Sequence, residues 1–144
     1  MAMWVAGGQK RRLLESTMTR YRVLVVEDEP LIAFDIETML DSLGCDIVGP
    51  VARLSDALDI AATEVFDCAI LDINVRGGRI TPVAEMLLDR GVPLLLSTGY
   101  GQYALPARLA SQARLAKPYT SEQLERGLRL LCSQVAEPRV ATAK

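Results

Sequence analysis

A doubly wound α/β fold, with five parallel strands and helices on both faces, is predicted by three observations. Short apolar runs alternate along the chain with segments of helical periodicity, the pattern of repeated βαβ units. The runs at residues 23–26 and 68–71 hold no charged residue, as strands buried on both faces require. The polar residues that could do chemistry each follow one of these runs, which places them beyond the carboxyl ends of the strands, where ligands bind in open parallel sheets.

The first strand is Tyr21-Arg22-Val23-Leu24-Val25-Val26, closed by Glu27-Asp28-Glu29-Pro30. Pro30 fits the first turn of a helix, where a missing N–H costs nothing. Ile32, Ile36, Met39, Leu40 and Leu43 then recur at helical spacing, and Gly44 ends that helix. Asp46-Ile47-Val48-Gly49-Pro50-Val51 is the second strand, and Ser55 is expected to cap a helix from Asp56 to about Thr63. The third strand covers residues 67–71 and ends at Asp72-Ile73-Asn74, before a loop of Val75-Arg76-Gly77-Gly78-Arg79.

Pro82 opens a third helix over residues 83–90, ended by Gly91. Residues 93–97 form strand four, followed by Thr98-Gly99-Tyr100-Gly101 and a weak helical stretch over 103–112 that Pro106 interrupts. Residues 99–113 are expected to be the most mobile part of the domain, because so short a helix has little stability of its own. Arg114-Leu115-Ala116 is strand five and leads into Lys117-Pro118. The last helix begins at Ser121 and Glu122 and carries Leu124, Leu128 and Leu131 on one face.

Residues 1–20 read as an extension ahead of the domain, with a short docking helix over 9–18 as the alternative. The domain covers residues 21–136, and 137–144 form a C-terminal tail. The five strand–helix units fill the chain and leave no room for an output or DNA-binding module.

Composition removes several classes of function. With 144 residues the chain has the length of one domain, and a net charge of −2 gives no footprint of nucleic-acid or membrane-surface binding. There is no histidine, which excludes a His-based triad, a His metal site and a phosphorylated His on this chain. Three widely spaced cysteines (Cys45, Cys68, Cys132) with no CxxC pair argue against a disulfide scaffold and for a cytoplasmic protein. No apolar run approaches the ~20 residues of a membrane span. The apolar stretch at 1–8 is followed, not preceded, by Lys10-Arg11-Arg12, the wrong order for a secretory signal.

In a 2-1-3-4-5 sheet the switch point lies between strands one and three, where Glu27, Asp28 and Asp72 converge. Three carboxylates crowded together repel one another, so a cation is expected, and hard oxygen ligands completed by water suit Mg²⁺. Lys117 adds a positive charge and Thr98 a hydroxyl able to bond an oxyanion. The set suits phosphoryl transfer onto Asp72, a reaction run mostly by positioning and electrostatics.

The motifs Val25-Val26-Glu27-Asp28-Glu29-Pro30, Leu71-Asp72-Ile73-Asn74, Ser97-Thr98-Gly99 and Lys117-Pro118, in this order, resemble the receiver domain of two-component response regulators. The resemblance spans residues 21 to about 134 and implies the flavodoxin-like version of the fold. It further implies that Asp72 accepts a phosphoryl group from a phosphohistidine of a sensor histidine kinase or phosphotransfer protein. Asp28, Asp72 and the backbone carbonyl of Asn74 would hold Mg²⁺, with Glu27 assisting through water, and Thr98 and Lys117 would sense the phosphate. The protein implied is a phosphorylation-controlled interaction module or phosphate shuttle in a phosphorelay, with an unknown downstream protein partner. It would be a monomer or a weak phosphorylation-dependent dimer.

Pro93 and Thr98-Gly99-Tyr100 further resemble the PFxFATGY group of stand-alone receivers, although Leu94, Leu96 and Ser97 replace its two Phe and its Ala. Val75-Arg76-Gly77-Gly78 stands where the family has Met-Pro-Gly, and Arg114 stands at the aromatic switch position. Tyr100 and Tyr103 are possible substitutes for that aromatic, and Arg76 and Arg79 for a contact with the donor phosphate.

Two other readings compete. A phosphatase of the haloacid dehalogenase type also forms an aspartyl phosphate, but it usually has a second Asp where this chain has Asn74, and it needs a cap. A degenerate receiver used only for contacts is opposed by the intact acidic cluster and Lys117.

Overall fold

The computed structural model describes residues 20–99 and 105–135. Five strands form one parallel sheet: β1 (Arg22–Val26), β2 (Asp46–Val51), β3 (Cys68–Asp72), β6 (Leu94–Thr98) and β7 (Ala113–Ala116), in the order β2-β1-β3-β6-β7. A two-stranded hairpin, β4 (Asn74–Val75) and β5 (Gly78–Arg79), supplies the numbers skipped between β3 and β6. Without the hairpin the order is the expected 2-1-3-4-5, a flavodoxin-like sheet. The helices are α1 (Pro30–Ser42), α2 (Leu54–Thr63), α3 (Thr81–Asp89), α4 (Ala107–Ala110) and α5 (Ser121–Ser133).

Alternation along the strands splits the core in two. Leu24, Val26, Ala69, Leu71, Leu94 and Leu96 face a cluster with Ala57 and Ala61 of α2, Val83, Ala84 and Leu87 of α3, and Leu109 of α4. Val23, Val25, Cys68, Ile70 and Leu95 face the other way, onto Ile36 and Leu40 of α1 and Leu124, Leu128 and Leu131 of α5. Both faces of the sheet are therefore covered, which is why these strands read as continuous apolar runs. Each fully buried Leu or Ile contributes ~1.5–3 kcal/mol by leaving water.

Local chemistry sets the helix ends. Pro30 occupies the first turn of α1. At the other end the N–H of Gly44 (φ 82°) bonds Asp41 O and that of Cys45 bonds Leu40 O, a Schellman closure. Thr120 and Gln123 form a reciprocal capping box at α5, adjacent to the expected start at Ser121.

Three expectations are corrected. Ser55 is not the cap of α2: the helix begins at Leu54, Arg53 is its N-cap, and no side chain closes it. The Leu54 N–H instead bonds Arg76 O at 2.7 Å, and Arg76 N–H bonds Ala52 O at 3.2 Å, so a distant backbone segment starts the helix. The same bonds explain the second correction. Residues 75–79 are not an irregular loop, because 74–79 form the hairpin, with Val75 buried and residues 76–78 exposed at its turn. Of the helix expected over 103–112, the described residues hold one turn, Ala107–Ala110, with Pro106 as its N-cap. Residues 1–19, Tyr100, Tyr103 and the tail from 136 lie outside the described residues, as do residues 100–104 of the 99–113 segment expected to be mobile.

Candidate functional site

β1 and β3 are neighbours, with Val25 beside Ile70 and Val26 beside Leu71. Two residues beyond Val25 is Glu27, and two beyond Ile70 is Asp72, so the pleat aims both carboxylates toward the α1/α5 side. The N–H of Glu27 bonds Val51 O at 3.0 Å and holds the end of β1 against β2. On the far side of β3, Asp72 pairs with Ser97 of β6, and the next residue, Thr98, pairs with Ala116 of β7. The Lys117 N–H bonds Thr98 O at 2.7 Å, which fixes the lysine at the edge of the same crevice. A cis peptide joins it to Pro118.

Glu27, Asp28 and Asp72 each bring a carboxylate oxygen within 4.8 Å of the others. The Lys117 ammonium donates to Asp72 Oδ2 at 3.2 Å, to Glu27 at 3.2 Å and to Glu29 at 3.4 Å. Glu27 and Asp72 are buried, 3% and 6% exposed, so these charges interact through a medium of low polarity. Burial, and then the negative charge of Asp72, push the Glu27 carboxyl up to about 7. Burial also raises Asp72, although the Lys117 ammonium opposes it. Burial works against charge on Lys117, but Asp72 and Glu27 outweigh it and hold the ammonium above its ordinary range. One ammonium thus serves three acidic partners, and the cluster lacks positive charge.

A divalent cation fits that deficit. Glu27 Oε2 accepts the N–H of Glu29 at 3.0 Å, and the Lys117 ammonium lies 3.2 Å from both Glu27 oxygens, so the buried Oε1 has that shared ammonium beside it and no hydrogen bond of its own. Three carboxylates with oxygens within 4.8 Å of one another, sharing a single ammonium, are a hard ligand set of the kind Mg²⁺ takes. Glu27, Asp28 and Asp72 are the clustered carboxylates that could hold it directly or through water.

The structure brings four of the residues singled out from sequence, Glu27, Asp28, Asp72 and Lys117, into one cluster. Thr98 is buried at the end of the adjacent strand. Asn74 is exposed at the start of β4, two residues past Asp72. Arg114 is exposed on β7, and its guanidinium donates to Ala110 O at 3.0 Å, closing the C-terminal end of α4. Two participants were missed. Glu29 joins the Lys117 ion pairs, and its backbone N–H braces Glu27. Tyr119 has a buried hydroxyl without a hydrogen-bond partner, and burial pushes its phenol up to about 12. The acidic run 27–29 was the available signal for Glu29, and Tyr119 had none.

The response regulator receiver domain model matches residues 23–129. The transcriptional regulatory protein PdtaR of Mycobacterium tuberculosis is 31% identical over 120 residues, covering 81% of this chain and 58% of PdtaR. The phyllosphere-induced regulator PhyR of Methylorubrum extorquens is 33% identical over 101 residues, covering 67% of this chain and 38% of PhyR. The chain thus spans about half the length of the curated relatives it matches. The solution structure of SdrG from Sphingomonas melonis Fr1 superimposes with a TM-score of 0.68 at 38% identity, covering 78% of this chain and 97% of SdrG. SdrG has also been solved in a BeF3-activated conformation, similar at TM-score 0.63 and 39% identity over 76% of this chain and 95% of SdrG. Receiver domains are signalling modules rather than enzymes, they typically bind Mg²⁺ in an acidic pocket, and among the described residues no helix is long and apolar enough to cross a membrane. From the β1–β3 switch point with its acidic cluster to the family match over most of its length, this chain belongs to the response regulator receiver domain family.

Proposed function

We propose that Asp72 accepts a phosphoryl group from a phosphohistidine of a sensor histidine kinase or phosphotransfer protein in the cytoplasm. The domain then acts as a phosphorylation-controlled protein-interaction module or a phosphate shuttle in a phosphorelay. The observation that carries this reading is the Asp72 carboxylate, set among two other carboxylates and held by Lys117 at 3.2 Å. In the transfer, the donor's N–P bond breaks as the bond from an Asp72 oxygen to phosphorus forms, and the imidazole leaves with the electron pair. Lys117 stays beside the incoming oxygens, and the Thr98 hydroxyl bonds one of them.

Asp28, Asp72 and the Asn74 carbonyl would hold Mg²⁺, with Glu27 assisting through water. When bound, the ion neutralises charge on the phosphoryl oxygens. The phosphorylated state presents a partner face built from Arg114 and the outer side of α5, where Leu130 is 57% exposed. That response requires the presenting conformation to hold phosphate more tightly than its alternative. The BeF3-activated conformation of SdrG supports a phosphate analogue as the probe. The chain acts as a monomer or a weak phosphorylation-dependent dimer.

Incubation with acetyl phosphate and Mg²⁺ tests the reading. The expected result is one hydroxylamine-labile phosphoryl group per chain, absent in chelator, with no turnover of small phosphoesters. Failure to bind either acetyl phosphate or beryllofluoride with Mg²⁺ present would leave the degenerate receiver; sustained phosphoester turnover would favour the phosphatase.

A further inference from the structure

At the opposite end of the sheet from the carboxylates, two of the three thiols meet. Cys45 Sγ and Cys132 Sγ lie 4.0 Å apart although 87 positions separate them in the chain. Cys45 is the residue that completes the Schellman turn after α1, and Cys132 is in the last turn of α5. Both sulfurs are free and belong to the apolar cluster that α1 and α5 share. Cys45 is buried, while Cys132 is half-buried.

We propose that Cys45 and Cys132 are a site of intramolecular disulfide formation, driven by a two-electron oxidant such as hydrogen peroxide. A disulfide needs an S–S distance near ~2.05 Å, so the sulfurs must approach by roughly 2 Å. Each thiol sits at the end of its helix, where a side-chain rotation and a small backbone shift supply that movement more readily than a helix interior does. The Cys132 sulfur attacks a peroxide oxygen, the O–O bond breaks, and a sulfenic acid and water result. The Cys45 sulfur then attacks the Cys132 sulfur; the S–S bond forms, the S–O bond breaks, and a second water leaves with the Cys45 proton. Two thiols are oxidised and one peroxide is reduced.

Cys68 is the third thiol, the first residue of β3, and it is fully buried. The hydrogen bond from Cys45 favours a thiolate at Cys132, but the Cys68 contact and burial outweigh it and push that thiol up to about 12. The bond to Cys132, and then burial, also raise Cys45. Protonated thiols react slowly, so closure calls for sustained oxidant. The bridge ties the turn after α1 to the end of α5 across a long loop, which restricts the unfolded chain. It lies far from Asp72 and does not depend on phosphorylation there.

Peptide mapping of the full chain after hydrogen peroxide, without reduction, tests this. A monomer carrying a Cys45–Cys132 linkage is expected, short of two hydrogens, reversed by dithiothreitol, with Tm raised by roughly 5–15 °C. Cys45→Ser and Cys132→Ser should each abolish the linkage and the shift; the wild-type map decides even where a variant folds poorly. A bridge through Cys68, cross-linked dimers alone, or sulfinic acids with no bridge would overturn the proposal.

Discussion

The Lys117 ammonium donates to Asp72 Oδ2 at 3.2 Å, although 45 positions separate the two residues. That contact joins the end of the central strand to the end of an edge strand, and its neighbours Glu27 and Glu29 share the same ammonium. A charge held this way answers to whatever changes at Asp72.

Lys117→Ala removes the ammonium from Asp72 and Glu27 but leaves every carboxylate in place. The expected outcome is Mg²⁺ affinity that is unchanged or slightly tighter, since a competing cation is gone. The hydrogen-exchange response to beryllofluoride should be lost. Calorimetric titration together with exchange measurements checks both halves, and a variant with weakened Mg²⁺ binding and a normal response contradicts the assignment.

Asp28→Asn keeps the shape and removes one charge from the cluster of three. Mg²⁺ affinity should fall by about tenfold or more while the fold is retained. Isothermal titration of both proteins decides the matter; equal affinities would remove Asp28 from the ligand set.

Much of this site was legible because the same residues mark the strand ends and carry the charge. Glu27, Asp28, Asp72 and Lys117 each terminate an apolar run, so placing the strands placed the cluster. Glu29 was visible only as part of the acidic run 27–29; its contact with Lys117 forms across 88 positions, and nothing local in the sequence marks it. The start of α2 was misread for a similar reason. Ser55 has the right chemistry for a cap, but the bonds among Ala52, Leu54 and Arg76 fix the helix two residues earlier. Arg76 is remote in sequence, and its backbone leaves no local signal. The hairpin at 74–79 escaped because two-residue strands show no alternation. At Arg114 the departure from the aromatic pattern was visible, while the bond it makes to Ala110 O was not.

Gly49 tests the sheet edge. It adopts φ 98°, and an added Cβ would lie 2.9 Å from Val25 O and from Val51 N, backbone atoms of the β1–β2 junction that braces Glu27. Gly49→Ala should destabilise the domain by about 1–3 kcal/mol or more, through both the backbone strain and the clash. Gly44 shares the positive φ but has open space around it, so Gly44→Ala should cost only the strain, ~1 kcal/mol. Urea unfolding of the two variants gives the ordering, and a larger loss at Gly44 would contradict it.

The central claim is that Asp72 is the phosphoacceptor, and transfer from a phosphohistidine donor to wild type and to Asp72→Asn tests it most directly. Labelled donor, Mg²⁺ and each protein would be mixed, and acid-stable and hydroxylamine-labile label on the chain compared. The account predicts hydroxylamine-labile label on the wild type and none on Asp72→Asn, with both proteins folded to the same extent. Label of wild-type amount on folded Asp72→Asn would contradict it.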